Sequence, residues 1–168
     1  MFRPVWQSEI ERELHRNAIK VQGKRWPDRT PEKLGADADR VIANMRGAFP
    51  DACLADKSWQ GLVDQQTNDA KDRHVLAAAV AAEATHVVTD NMKDFPVSSR
   101  PEGALVQRPD SFLLSLLAND RQAVLSGPTA LVQRNQRPPK TLDQLVETLL
   151  RGKHARRFAQ AMLDGEPS

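Results

Sequence analysis

Five residues with oxygen side chains suited to a cation flank one apolar run: in DAKDRHVLAAAVAAEATHVVTDNMKDFP, Asp69 and Asp72 precede it, and Asp90, Asn91 and Asp94 follow it. Carboxylates gathered in a solvent cleft repel one another and resist ionisation unless a cation neutralises them. A hard divalent ion such as Mg²⁺ takes oxygen ligands, usually one or two protein carboxylates with waters and phosphate oxygens completing its shell. The residue types therefore suit metal-assisted hydrolysis of a phosphodiester. The same residues also suit helix caps and Asx turns, and on local spacing alone capping is the stronger use.

Whether the acids can meet depends on the elements that carry them. FRPVW reads as a short strand. Ser8 follows as an N-cap with Glu11 at capping-box spacing, opening a helix over about 9–20 with Ile10, Leu14 and Ala18 as its apolar stripe. VQGKRWPDRTP is loop by its Gly and Pro content, and Pro31 opens a second helix to about Gly47, with Leu34, Ala38, Val41, Ile42 and Met45 on one side. DACLAD is a brief strand candidate, and a buried helix should run from Asp72 to about Ala84. THVVTD and ALVQR read as strands; PDSFLLSLLAND, RQAVLSGPTALVQRN, TLDQLVETLLRG and ARRFAQAMLDG read as helices. Strands alternating with helices imply a parallel sheet covered on its faces, an α/β fold with a helical tail. In such sheets ligands sit beyond the carboxyl ends of the strands, where Asp90, Asn91 and Asp94 fall, and where helix starts such as Asp72 can join them.

Composition narrows the classes. A chain of 168 residues with 40% hydrophobic content can bury a core as one domain with an appendage. Its longest apolar stretch, Val75 to Ala82, is far too short to span a bilayer. The opening MFRPVWQSEIERELHR lacks a signal-peptide core and Cys53 has no cysteine partner, which points to the cytoplasm. Net charge is +2. Residues 97–168 carry ten Lys and Arg against seven Asp and Glu, while 69–96 carry three against five, so acid is concentrated in the segment quoted above.

That segment, with its aspartate, arginine, histidine and alanine-rich helix followed by VVTDN and KDFP, resembles the second half of PIN domains, in particular toxin components of toxin–antitoxin systems. The resemblance extends upstream to RPVWQSEIERELHRN and downstream to RPDSFLLSLL and RPPKTLDQLVETLLRGKHARRFAQAML, nearly the whole chain. It implies a three-layer α/β fold over residues 1–108 with a C-terminal helical extension over 109–168. It also implies a ribonuclease dependent on Mg²⁺ or Mn²⁺, typically dimeric and restrained by a cognate antitoxin. The implied catalytic acids are Glu13, Asp72 and Asp94, with Glu9 one turn earlier as second choice for the first. Metal ligation would fall to Glu13, Asp72 and one of Asn91 and Asp94, supported by Asp69, Thr89, Asp90, Arg73 and His74.

One family element is unmatched: the opening strand that ends in an aspartate, since Met1 stands at what resembles the second strand. The resemblance then implies a sheet without its central strand, completed by exchange between copies or by a strand from another chain. The alternative to an enzyme is a non-catalytic module that keeps an RNA-facing or antitoxin-facing surface. His15, His74, His86 and His154 lack zinc spacing, and Trp6 and Trp59 are expected in the core rather than in a base-stacking platform. Arg12, Arg16, Lys20 and Lys24 read as a solvated face.

Overall fold

A computed structural model describes residues 2–134 and 141–164, so Asn135 and the RPPK run at 137–140, read above as part of the tail, lie outside the described residues. The chain divides into two compact units. One holds Phe2–Val87 and Asp94–Leu105; the other holds Val88–Lys93 and the chain from Val106 onward.

The first unit begins with a helical hairpin, α1 (Ser8–Arg25) and α2 (Pro31–Ala48). Ser8 is not the cap of α1: Gln7 is, its Oε1 accepting the N–H groups of Glu9 and Ile10. The Ser8 hydroxyl instead donates to Asp56 at 2.7 Å. Helix α1 also runs past the expected stop at Lys20, through Val21–Arg25, because an isolated Gly inside a helix costs only about 1 kcal/mol and α2 packs alongside. Its apolar stripe is only half-buried, and the residue it buries is Glu11.

Glu11 accepts from Arg46 Nε at 2.9 Å and Nη2 at 2.5 Å, tying α1 to α2, and from the indole of buried Trp6 at 2.9 Å. The Arg46 hydrogen bonds hold its carboxyl below the usual range; burial opposes them and the Trp6 hydrogen bond reinforces them. A depressed carboxyl contributes stability above its unfolded pKa, about 4.3, and loses it as pH falls through the folded value. Glu11→Ala, which strands the Trp6 N–H, should cost about 1–3 kcal/mol at neutral pH. Urea midpoints measured from pH 7 downward should show the gap between wild type and variant closing only in acid; a gap independent of pH would contradict the assignment.

The expected strand at FRPVW is reduced to a single parallel bridge between Trp6 and Cys53, and DACLAD contributes the other half of that bridge. Trp6 N–H donates to Ala52 at 3.0 Å and Leu54 N–H to Trp6 at 2.8 Å. Pro4 has no N–H to extend the ladder. The short α3 (Asp56–Trp59) and a 3₁₀ turn (Gln60–Gln65) follow, then α4 (Arg73–Ala81), which buries His74 and the Leu76–Ala79 face. Helix α4 ends before Glu83, whose φ of +49° is left-handed backbone that no α-helix continues through.

Among the described residues the sheet has two strands, β1 (His86–Val88) and β2 (Leu105–Gln107). They run parallel, with Leu105 N–H donating to Thr85 at 2.9 Å and Thr89 N–H to Gln107 at 3.0 Å. The chain is therefore a mostly helical α/β protein, with less sheet than the three-layer arrangement expected. Trp6 and Trp59 are core residues, each 5% exposed.

The second unit is built on α5 (Pro109–Asn119), α6 (Arg121–Arg134), α7 (Leu142–Arg151) and α8 (Arg156–Leu163). Thr141 and Gln144 close a capping box on α7, and Leu117, Val146, Phe158 and Ala159 form the core. Two long-range contacts hold α8. Asp110 accepts from Phe158 N–H at 2.8 Å and Arg157 N–H at 3.3 Å, while Arg121 donates to the carbonyls of Ala161 at 3.0 Å and Met162 at 3.1 Å. Asp110→Ala removes the acceptor that α8 borrows from α5 and should cost about 0.5–2 kcal/mol. Hydrogen exchange should then quicken over residues 156–163 while α1 keeps its protection; unchanged exchange at α8 would show that the cap is redundant.

Candidate metal centre

Asp72 occupies the residue before α4, the position that normally caps a helix, yet its side chain makes no capping hydrogen bond. The local backbone is closed without it, by Asp72 N–H to Asp69 C=O at 2.9 Å and Val75 N–H to Asp72 C=O at 3.0 Å. Its carboxyl lies instead with those of Asp69 and Asp94, one oxygen from each falling within 4.8 Å of the others. Asp69 is fixed by an Asx turn in which its Oδ1 accepts Lys71 N–H at 3.1 Å. Asp94 closes a 3₁₀ turn (Met92–Asp94) and is followed by Phe95, only 1% exposed.

Charge crowding is visible in the site. Burial first, then the hydrogen bond and charge of Asp94 and the charge of Glu13, push the Asp72 carboxyl above its ordinary value, with His74 opposing them. Glu13 reaches the group from α1, its Oε2 3.6 Å from Nε2 of buried His74, longer than a hydrogen bond. The His74 backbone carbonyl in turn accepts from the Gln7 amide at 3.4 Å, so the residue that caps α1 also tethers the start of α4.

Of the residues singled out in the sequence, Asp69, Asp72 and Asp94 therefore converge, with Glu13 and His74 beside them, all in the first unit. Arg73 turns to the Asn68 carbonyl, Nε donating at 3.3 Å. Thr89, Asp90 and Asn91 belong to the second unit. There the Thr89 hydroxyl accepts Asn91 N–H at 3.1 Å, and Asp90 pairs with Arg108 and His154. The sequence does not single out Asn68, whose side-chain oxygen and nitrogen are buried with no hydrogen-bond partner among the described residues, next to Asp69. Only burial singles it out, and no spacing in the sequence signals that.

Three carboxylates on separate backbone turns, one of them pushed above its ordinary pKa first by burial and then by its acidic neighbours, form a donor set that fits a hard divalent cation. Residues 109–164 match the family described as VapC50 C-terminal domain. Over 102 residues the chain is 35% identical to "Putative ribonuclease VapC50" of Mycobacterium tuberculosis. The chain is a distant homologue of VapC50. The alignment covers 60% of this chain and 59% of the length of VapC50. No solved structure matches. Among the described residues, no helix is long and apolar enough to cross a membrane.

Proposed function

We propose that this chain is the toxin of a toxin–antitoxin pair, a ribonuclease that hydrolyses RNA phosphodiester bonds with Mg²⁺ or Mn²⁺. The observation that carries the reading is Asp72, a residue at a capping position whose carboxyl leaves the helix uncapped and joins Asp69 and Asp94. The relation to "Putative ribonuclease VapC50" supports the same chemistry. Asp69, Asp72 and Asp94 would hold the cation, with Glu13 adding negative charge and His74 standing against it. A cation bound there would activate a water and stabilise the departing oxygen of the phosphodiester. The antitoxin is a protein partner that restrains this activity, and the C-terminal helices from Pro109 form an extension to the catalytic part.

The test is cleavage of labelled single-stranded RNA of mixed sequence, with Mn²⁺, with Mg²⁺ and with excess EDTA, alongside thermal unfolding in the same buffers. Cleavage should require the metal. Mn²⁺ at about a hundred times its Kd should stabilise the protein by about 2.7 kcal/mol. Absence of both cleavage and metal-dependent stabilisation would overturn the reading; metal-dependent stabilisation without cleavage would favour a non-catalytic module.

A further inference from the structure

The turn joining α7 to α8 reads RGKHARR: five of its seven residues, Arg151 to Arg157, are Arg, Lys or His. It is pinned at two points, by Asp90 after β1 and by Asp110 in the first turn of α5. Asp90 pairs with both His154 Nδ1 and Arg108, the latter at 3.9 Å, and Asp110 accepts the Arg157 and Phe158 backbone N–H groups. Arg108 is thereby brought to the turn, although 43 positions separate it from Arg151 in the chain. Lys153, Arg156 and Arg157 are exposed and enter no ion pair among the described residues, while Arg151 is engaged by Glu147 at 2.5 Å. No large apolar side chain stands between Arg151 and Arg157. Protein interfaces place apolar and aromatic groups at their centre and charge at the rim, whereas polyanion sites cluster exposed cations without such a centre.

We propose that this basic turn, with Arg108, is a binding surface for the phosphodiester backbone of single-stranded RNA. It rests on the reading of the protein as acting on RNA and places a second RNA contact on the helical unit, apart from the residues of the aspartate cluster. Guanidinium groups pair with phosphate oxygens two at a time, and Lys153 adds a point charge. Asp90 and Asp110 spend their charge holding the turn rather than screening Lys153, Arg156 and Arg157. The surface recognises phosphate, so it confers affinity without base preference.

The experiment is fluorescence anisotropy of a labelled 20-nucleotide polyuridine with the full chain in EDTA, so that no cleavage intervenes, repeated over a range of salt. The variant Lys153→Ala/Arg156→Ala/Arg157→Ala keeps the backbone N–H groups that Asp110 accepts and is built of good helix formers. It should lose about tenfold or more in affinity, and the slope of log K against log salt should flatten by about 2, three phosphates at about 0.7 each. Lys20→Ala/Lys24→Ala/Lys33→Ala removes the same charge from exposed positions of the helical hairpin and should leave the slope near wild type. Equal slopes for wild type and the turn variant, or equal losses from both triple variants, would overturn the proposal. Tighter binding of a polyglutamate peptide than of RNA would overturn it in favour of an acidic protein partner. Because binding is read without metal, failure of hydrolysis leaves this result standing, and intact hydrolysis with an unaltered turn variant removes this surface alone.

Discussion

Asp72→Asn should abolish metal-dependent RNA cleavage while making the metal-free protein more stable. Outer-shell changes at metal sites cost about 10–100-fold in affinity or activity, so loss of a direct carboxylate ligand should cost at least about 100-fold. The gain in stability follows from the burial of Asp72 and its crowding by Asp94 and Glu13, which together raise its pKa. A carboxyl raised above its unfolded value contributes stability below the unfolded pKa, and that contribution is lost as pH rises through the folded pKa. At neutral pH the ionised group therefore works against the metal-free fold, and a neutral amide of the same shape relieves it. Added Mn²⁺ should reverse the order, stabilising wild type and leaving the variant unmoved. Thermal unfolding of both proteins with EDTA and with Mn²⁺ reads all four states. A variant less stable than wild type in EDTA, or one that still gains from Mn²⁺, would remove Asp72 from the metal set. A structural cap predicts the opposite sign, since its loss destabilises by about 0.5–2 kcal/mol.

Phe95→Ala should be the most damaging single change to the fold that leaves every site carboxylate in place. The ring is 1% exposed, and its backbone carbonyl is held by Arg100 Nε at 3.1 Å. Truncating a fully buried Phe costs about 3–5 kcal/mol, from lost transfer energy and the cavity left behind. The adjoining residue is Asp94, so loosening this anchor also frees one corner of the aspartate cluster. Urea unfolding should give the full loss for Phe95→Ala and less than about 1.5 kcal/mol for Phe95→Leu, which refills most of the space. Mn²⁺ affinity should fall in the same order. A loss under about 1 kcal/mol for the alanine variant would show that the ring does not anchor this turn.

The elements that could be read in advance are those whose signals are local. The run from Arg73 to Ala81 folds as a helix because its alanines favour one and its apolar positions are too many for a surface strand; HVV and LVQ are strands because β-branched residues there are bounded by breakers. Leucine spacing in 109–119 and 142–151 foretells packed helices for the same reason. The readings that failed are those where a distant contact outweighs a local preference. Ser8 has the better capping side chain, but Asp56 takes its hydroxyl and leaves the cap to Gln7. Glu11 sits at capping-box spacing, yet Arg46, 35 positions away, draws it into the interior.

For the candidate site, the residue types near the ends of the central apolar run are legible from the order of amino acids alone, and with them the hard-cation chemistry they permit. Which of them meet depends on contacts between distant segments. Asp90 and Asp94 are four positions apart in the segment after β1, yet Asp94 joins Asp69 and Asp72 while Asp90 pairs with Arg108 and His154. Spacing cannot separate them, because a turn projects successive side chains in different directions and each carboxylate goes where charge or packing from remote segments receives it. The same holds for Asp72: a carboxylate before a helix is a cap by default, yet its side chain makes no capping hydrogen bond and lies with those of Asp69 and Asp94.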